Sequence, residues 1–352
     1  MSRAASERWV TVRRLFEAAV ELPVEQREAF LSVACGNDDG TRSEVVALLA
    51  ADESAVDLPI DREVSRGCEG AAERLPEVVG FRIDRRLGAG GTSRVYEATC
   101  WENGRRVALK VMNVGASSQA LLRFRQESRI LSRLRLPGIV SLHESGHTVD
   151  GQVYLSMDFV EGDTIDRWCD RQRTPEADRV GLAVQVLHAL AHAHAAGVIH
   201  RDIKPHNILV GTDGRTRLVD FGVARLHRED GNRTGFRTET GNLVGTFAYM
   251  SPEQADGKSS RVGPATDVYQ VALVLYELLA GQLPYEIEDR GAMALLKAVL
   301  FESRVRLSDR RPELAGPLDD ALHAALDVDP TRRPASALAF AEMLAAAIPA
   351  LR

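Results

Sequence analysis

The spacing of apolar residues divides the chain into a helical N-terminal part, a strand-rich part and a long helical part. Between residues 6 and 52, apolar residues recur at the spacing of one helix face. Pro23 suits the first turn of a second helix there, and the glycine- and acid-rich stretch 36–40 is suited to end it. We therefore predict a small helical appendage over residues 1–52.

The pattern changes after the predicted appendage. Residues 53–79 show no sustained period and are punctuated by acidic residues, glycine and proline, so we predict a linker there. From residue 80 onwards short alternating runs predict strands, and past residue 160 helical periods predominate. The alternating runs are 82–87, 95–98 and 106–111, and helical runs include 178–195 and 267–279. The pattern predicts an α+β fold, with a small strand-rich lobe over about residues 80–158 followed by a mainly helical lobe.

The composition is that of a water-soluble globular protein, with 45% apolar and 27% charged residues. Its 44 basic and 50 acidic residues give a net charge of -6, so we predict no general basic surface for nucleic acid or for an anionic membrane. The first residues lack the apolar core of a secretory signal. The most apolar run, 271–280, is about half as long as a membrane span requires, and we predict a buried core helix there. These features favour a cytoplasmic protein without a membrane span.

The candidate metal ligands do not form a familiar zinc site. The cysteines are far apart and favour free thiols in a reducing compartment: Cys35, Cys68, Cys100 and Cys169. Three histidines share one helical run: His188, His192 and His194. The i,i+4 spacing brings His188 and His192 together on one helix face, but no third ligand or glutamate is placed as in a zinc protease, so we predict a packed or solvated helix face.

A glycine-rich stretch, 87–95, joins two of the predicted strands. Gly88, Gly90 and Gly91 lack side chains, which lets backbone amides approach phosphate oxygens. Taken alone this signal is weak, because glycine-rich hairpins are usually only turns. A strand follows instead of a helix, and the stretch 87–95 contains no Gly-Lys-Ser/Thr, so a dinucleotide fold and a P-loop are both disfavoured there.

One lysine, Lys110, lies at the end of the apolar run 107–110. It could simply extend from the sheet into solvent. Its functional role, as a cation for the α and β phosphates of a nucleotide, requires a carboxylate to hold it. Glu127, on the helical run 121–134, is the candidate partner.

The stretch 200–207, His-Arg-Asp-Ile-Lys-Pro-His-Asn, and the later Asp220-Phe221-Gly222 carry the strongest chemical signal. Phosphoryl transfer needs a carboxylate beside the attacking hydroxyl and hard oxygen ligands for a metal ion. Asp202 would accept or orient the hydroxyl proton, and Lys204 would reach the transferred phosphate. Asn207 and Asp220 would supply the metal oxygens. Any one of them could be a cap or turn residue, but their joint occurrence behind the glycine loop and Lys110 predicts phosphoryl transfer.

These motifs together resemble the protein kinase family, and in particular the bacterial serine/threonine kinases of eukaryotic (Hanks) type. The resemblance covers about residues 80–344 and includes 245–253, Gly-Thr-Phe-Ala-Tyr-Met-Ser-Pro-Glu, which looks like the family's substrate-facing loop and Ala-Pro-Glu motif. It implies a bilobal kinase fold with a catalytic domain over residues 80–352. It also implies ATP between the lobes and Mg²⁺, with Mn²⁺ as the alternative ion. Two departures, Ser93 at the third glycine position and Ser251 in place of alanine, remove no catalytic group.

The resemblance implies a role for each motif residue. ATP would contact Leu87, Gly88, Ala89, Gly90, Gly91, Val95, Ala108, Lys110, Glu127, Asp158, Val160 and Leu209. Met157 would be the gatekeeper, and Asp158 and Val160 would bind adenine through backbone groups. Thr246 and Glu253 would belong to the substrate loop, Asp267 would begin the central helix, and Arg333 would pair with Glu253. Lys204 and Thr246 are typical of the serine/threonine members, which implies serine or threonine acceptors in proteins.

The resemblance also points to regulation through the activation segment. In such kinases the arginine before the catalytic aspartate, here Arg201, usually meets a phosphate on that segment. We hypothesise that Thr238, Thr240 or both are autophosphorylated; two ordinary loop threonines are the alternative. A homodimer for autophosphorylation between two copies is implied by the resemblance alone.

Two other function classes share part of this pattern. A pseudokinase would use the fold as a binding scaffold, but a scaffold has no physical need for the set Lys110, Glu127, Asp202, Asn207 and Asp220. A small-molecule phosphotransferase of the antibiotic-kinase type would share the metal and base chemistry, but Lys204 and the segment 246–253 count against it. For the N-terminal helices, a docking or regulatory role and a purely structural one are equally supported.

Overall fold

The computed structural model describes residues 75–89, 93–112, 136–221, 248–256, 259–285 and 292–351, and parts of the stretch 11–46. The strands are β1 Phe81–Ala89, β2 Ser93–Cys100, β3 Arg106–Met112, β4 Leu142–His147, β5 Val153–Asp158, β6 Gly162–Thr164, β7 Ile208–Gly211 and β8 Thr216–Leu218. The helices are α1 Val24–Cys35, α2 Ile165–Gln172, α3 Glu176–Ala195, α4 Pro252–Ala255, α5 Pro264–Ala280, α6 Ala292–Phe301, α7 Leu307–Arg310, α8 Pro317–Ala325 and α9 Ala337–Ala347. One of the short 3-10 helices, Pro205–Asn207, directly precedes β7.

The first five strands form one antiparallel sheet in the order β1-β2-β3-β5-β4. In the central strand β3, Val107, Leu109 and Val111 pack into one apolar cluster, and Ala108 packs into another. Successive side chains of a strand point to opposite faces, so Lys110, two residues after Ala108, shares the face of Ala108. The alternation of apolar residues along β3 thus decides on which side of the sheet the lysine lies.

Helix α5 lies at the centre of the helical lobe, where it packs against α3 and α9. Nearly all of its residues between Thr266 and Leu279 are buried, as expected for a helix that is apolar on every side. Pro264 occupies its first turn, and Gly281, with φ 74°, ends it in the left-handed region. The predicted core helix at 271–280 is confirmed as the second half of α5.

A second, three-stranded sheet is formed by β6, β7 and β8. Gly162, at the start of β6, faces Gly211 across the β6–β7 ladder. A Cβ atom on Gly162 would lie 1.9 Å from the carbonyl oxygen of Val210, a distance that no side chain tolerates. Glycine therefore allows β6 to approach β7, and this sheet carries Leu209 and leads into Asp220.

The predicted two-part fold is confirmed: a strand-rich lobe precedes a helical one, and the runs 82–87, 95–98 and 106–111 lie within β1, β2 and β3. In the N-terminal part, α1 begins directly after Pro23 and is followed by Gly36 at φ 53°. The limits of the appendage and of the linker stay predictions, and residues 47–74 lie outside the described ranges. Within those ranges, every helix is too short or too polar to span a bilayer.

Candidate active site

The predicted catalytic residues cluster in the stretch 202–207. The ammonium nitrogen of Lys204 lies 3.1 Å from Oδ2 of Asp202. The side-chain nitrogen of Asn207 donates to the backbone oxygen of Asp202 at 2.7 Å and to its Oδ2 at 3.2 Å. The carboxylate of Asp202 is therefore held by a cation and an amide from its own loop, with about a third of the side chain still exposed to solvent (31%).

Helix α5 holds the backbone in front of Asp202. The carboxylate of Asp267, which is fully buried, accepts the backbone N–H of His200 at 2.9 Å and that of Arg201 at 2.7 Å. Nε2 of His194, on α3, lies 2.7 Å from the same carboxylate. His194 thus contacts Asp267, whereas His188 and His192 are exposed on α3.

Two residues of the site adopt a left-handed backbone that costs non-glycine residues free energy: Arg201 at φ 68° and Asp220 at φ 58°. Neighbouring contacts hold both. Arg201 is fixed by Asp267, and Val219, next to Asp220, donates its N–H to the Asn207 carbonyl at 3.0 Å. The ring of His200 also contacts Val219 O at 2.9 Å and packs on Phe221 with ring centres 4.5 Å apart. Such over-determined strain is typical of functional sites.

The two lobes meet at an ion pair. Nζ of Lys110, on β3, lies 2.7 Å from Oδ1 of Asp220, which follows β8. The pair is half-buried, with 16% of the lysine side chain and 33% of the aspartate side chain exposed. The predicted nucleotide lysine and the predicted metal ligand are therefore within direct contact of each other.

The residues predicted to cover adenine share one face of the first sheet. Val95 lies opposite Lys110 across β2 and β3, and Ala108 lies opposite Met157 across β3 and β5. Cross-strand partners point to the same face, so these side chains form one surface with Lys110. The N–H of Asp158 already donates to the Ser141 carbonyl at 3.0 Å, which leaves it unavailable to a ligand. Leu209 is half-buried on β7, and Val160 lies in the segment between β5 and β6.

The oxygen donors present fit a hard divalent cation. Because the Asn207 side-chain nitrogen is occupied by Asp202, the amide oxygen is the atom left to meet a metal ion. The bond between Val219 N–H and the Asn207 carbonyl brings the backbone of Asn207 next to Asp220. An amide oxygen and a carboxylate are the ligand types that Mg²⁺ and Mn²⁺ prefer.

The described end of the predicted substrate loop is anchored in the helical lobe. The Tyr249 hydroxyl donates to the carboxylate of Glu277 on α5. Burial raises the pKa of Glu277, and the hydrogen bond from Tyr249 opposes that rise only in part. Burial together with the neighbouring Glu277 carboxylate raises the pKa of Tyr249, so the tyrosine remains protonated and a donor.

Glu253 and Arg333, 80 positions apart, are joined by two parallel hydrogen bonds of 2.8 Å. Thr266 donates a third bond to the same carboxylate at 2.7 Å. Burial by itself would raise the pKa of Glu253, but the guanidinium and the hydroxyl outweigh it, and the pKa is lowered. The pair is therefore ionised and ties the region of α4 to the C-terminal part of the lobe.

Several predicted residues lie outside the described ranges: Gly90, Gly91, Glu127, Thr238, Thr240 and Thr246. Leu87, Gly88 and Ala89 are described at the end of β1, where Gly88 pairs with Val95. The structure thus describes the glycine-rich stretch 87–95 except for residues 90–92.

The sequence alone assigned no role in the site to four of its polar residues: His194, His200, Gln254 and Gln270. His194 and Gln270 lie on helices of apolar character, and a polar residue at a buried helix position is the one signal that could have indicated them. Gln254 donates to the Arg201 carbonyl at 2.7 Å, and Gln270 accepts the N–H of Ile203 at 3.0 Å. Together, the two glutamines therefore hold the backbone on both sides of Asp202.

Comparison with known families agrees with this geometry, since the profile described as protein kinase domain matches residues 81–345. The chain belongs to the protein kinase family. The matched region contains Asp202, Asp220 and Arg333 and begins with β1. Residues 1–80 of this chain lie outside the match.

Named bacterial proteins are similar to this chain. It is 35% identical over 275 residues to serine/threonine-protein kinase PknJ of Mycobacterium bovis, covering 76% of this chain and 45% of PknJ. It is 34% identical over 271 residues to serine/threonine-protein kinase pkn3 of Myxococcus xanthus, covering 74% of this chain and 48% of pkn3. The chain therefore spans less than half the length of these relatives, and the predicted resemblance to bacterial serine/threonine kinases is confirmed.

Proposed function

We propose that this chain transfers the γ-phosphoryl group of ATP to serine and threonine hydroxyls of proteins, including threonines of its own activation segment. The observation that carries the proposal is the contact between Lys110 and Asp220 at 2.7 Å, directly beside the loop that carries Asp202, Lys204 and Asn207. The names of the similar bacterial proteins, which are serine/threonine-protein kinases, support the same activity.

Each side chain has a task that follows from its charge and position. Lys110 would hold the α and β phosphates of ATP, and Ala108, Val95 and Leu209 would enclose adenine. Asp202 would orient the acceptor hydroxyl and take its proton, while Lys204, 3.1 Å from it, would neutralise charge on the transferred group. Asn207 and Asp220 would hold Mg²⁺. When bound, the ion supplies positive charge that offsets the phosphate oxygens.

The contact between Lys110 and Asp220 has a further consequence for ATP binding. Both groups are needed elsewhere once nucleotide and metal bind, the lysine at the phosphates and the aspartate at the cation. Binding would therefore separate the 2.7 Å pair. Each side chain would then face a new opposite charge, the phosphates for Lys110 and the metal cation for Asp220. No buried charge is left without a partner in either state.

The cellular setting is part of the same proposal. Autophosphorylation would take place between two copies of the chain, with Arg201 receiving the phosphate carried by Thr238 or Thr240. We expect a cytoplasmic kinase, in line with the absence of a membrane-spanning helix among the described residues.

The test is incorporation of labelled phosphate from γ-labelled ATP with Mg²⁺, into the chain itself and into myelin basic protein. Asp202→Asn should lower the rate by roughly 10²- to 10⁴-fold, because it removes the base and one charge. Asp213→Asn is the matched control: Asp213 lies in the turn between β7 and β8, where it binds Arg217 at 2.7 Å. The control should turn over like the wild type.

Four results would overturn all or part of the proposal, each in a different way. Equal incorporation by Asp202→Asn and wild type would exclude Asp202 as the catalytic carboxylate. ATP binding without any transfer would indicate a pseudokinase, and label found only in small molecules would indicate a small-molecule phosphotransferase. Mapping of the label to sites other than Thr238 and Thr240, in fully active enzyme, would refute the regulatory part.

A further inference from the structure

Gln270, a buried residue of α5, contacts the catalytic loop and the substrate loop at the same time. Its Oε1 accepts the backbone N–H of Ile203 at 3.0 Å. Its Nε2 lies 3.2 Å from the Arg201 carbonyl and 3.1 Å from the Tyr249 carbonyl. The side chain is 2% exposed, so water cannot replace these bonds.

These contacts flank Asp202 on both sides. The Arg201 carbonyl belongs to the peptide group before Asp202, and the Ile203 N–H belongs to the peptide group after it. Asp267, one helical turn earlier on α5, holds the N–H groups of His200 and Arg201. One face of α5 therefore fixes the backbone from residue 200 to residue 203. Gln270 makes the hydrogen bonds that lie nearest to Asp202.

The chemistry of this position requires a carboxamide. One end of the group faces an N–H donor, and the other faces three oxygen acceptors: Arg201 O, Tyr249 O and Oε1 of Gln254, the last at 3.0 Å. The two N–H groups of Nε2 serve three acceptors, so one hydrogen is shared. A carboxylate there would turn an oxygen toward three oxygens, and an apolar side chain would remove the partner of the Ile203 N–H and of the Tyr249 carbonyl.

Gln254 completes the connection. Its Nε2 donates to the Arg201 carbonyl at 2.7 Å, and its Oε1 accepts from the backbone and hydroxyl of Ser251 at 3.1 and 3.2 Å. The two amides thus bridge the catalytic loop and the start of α4, next to Tyr249.

We propose that Gln270 is a positioning residue that sets Asp202 in register with the loop that receives the acceptor protein. The proposal rests on the proposed kinase function for its catalytic meaning. The hydrogen bonds that Gln270 makes to Ile203, Arg201 and Tyr249, which we call the Gln270 clamp, do not depend on that function. Misplacement of Asp202 relative to the acceptor hydroxyl should lower kcat, because transfer depends on the orientation of the reacting groups. ATP binding, which uses β2, β3 and the β5–β6 segment, should be unaffected.

The test uses the full chain with Gln270→Met, which keeps the length of the side chain and removes the amide, and Gln270→Glu, which keeps an acceptor for Ile203 and removes the donors. Asp319→Asn is the control. Asp319 is 3% exposed and holds the N–H groups of Leu307 and Ser308, away from Asp202. The substitution therefore perturbs a polar contact that is about as deeply buried as that of Gln270. Amide hydrogen exchange of Ile203 is measured in the protein without ATP. Transfer to myelin basic protein is measured per folded molecule.

Gln270→Met should accelerate exchange of the Ile203 amide at least about 10-fold and lower kcat by about 10- to 100-fold, with KM for ATP unchanged within about two-fold. Gln270→Glu should keep the Ile203 amide protected from exchange and still lower kcat. A purely structural role would not lower kcat while the amide stays protected. Asp319→Asn should reduce stability with kcat unchanged.

The proposal is overturned if both Gln270 variants turn over like Asp319→Asn once corrected for folded protein, or if Ile203 exchanges in Gln270→Met as in the wild type. A wild-type protein that transfers no phosphate would refute the kinase function instead. The exchange measurement would still decide whether the clamp exists.

Discussion

Replacing Arg333 by methionine removes the cationic half of the most deeply buried ion pair among the described residues. The side chains of Arg333 and Glu253 are 0% and 1% exposed. Arg333 also donates to the carbonyls of Ala265 at 2.9 Å and Asp327 at 2.8 Å. The variant leaves a buried carboxylate and two partly buried carbonyls without these donors.

The size of the effect follows from the loss of the partner charge. Breaking a buried pair by removal of one partner costs about 3–5 kcal/mol, far more than the net worth of the intact pair. For a domain of this size, each 1 kcal/mol lowers the melting temperature by roughly 2–4 °C, so Arg333→Met should melt about 6–20 °C below the wild type. The carboxylate is ionised at neutral pH because its pKa is lowered, with the arginine and Thr266 outweighing the effect of burial.

The assay is thermal unfolding followed by circular dichroism at one fixed scan rate. Arg261→Met is the matched control, since Arg261 pairs with Asp329 at 3.4 Å with both side chains nearly half exposed, and such a pair contributes under about 1 kcal/mol. Adding Glu253→Gln to Arg333→Met should recover part of the loss, because no unpaired charge remains. A shift for Arg333→Met no larger than that of Arg261→Met would refute the reasoning.

Two further variants test other contacts by the same unfolding assay. Burial raises the pKa of Glu277 above its unfolded value, so its favourable contribution is fullest below about pH 4.3 and is lost as the pH rises through the folded pKa. Glu277→Gln keeps an acceptor for Tyr249 without the charge, and its melting temperature relative to the wild type should rise from pH 5 to pH 7.5; a constant difference would contradict this sign. Gly162→Ala should cost about 1–3 kcal/mol or more, because its Cβ would lie 1.9 Å from Val210 O. Gly181→Ala on α3, whose Cβ would meet nothing within 4 Å, should be neutral or stabilising, and equal melting of the two variants would exclude the predicted clash.

The elements that could be predicted from the sequence are those with a strong local period. The runs 82–87 and 106–111 lie in β1 and β3 because alternating burial on a sheet leaves an alternating pattern in the chain. Helix α5 could be predicted because its apolar residues surround it on all sides. Strand β6, of three residues, is too short to carry a period and was not predicted.

For the candidate site, the sequence indicated the chemical groups, and the structure shows which of them are neighbours. Lys110 was assigned Glu127 as its partner, a residue outside the described ranges, and in the structure Lys110 contacts Asp220. The histidines of α3 were considered together as metal ligands, but only one of them, His194, contacts Asp267. Spacing along a helix reveals shared faces, and it does not reveal which element packs against each face.

The sequence by itself determined the two-lobed α+β architecture, the protein kinase motifs and the set of charged candidate residues, because these depend on local periodicity and on residue type. Only the tertiary structure decided that Asp267 and Gln270 fix the backbone around Asp202, with partners 66 and 67 positions away. It also decided that Arg201 and Asp220 take left-handed backbones. Contacts at such separations depend on where packed helices and loops cross, which is the sum of many weak interactions along the whole chain and leaves no local pattern in the sequence.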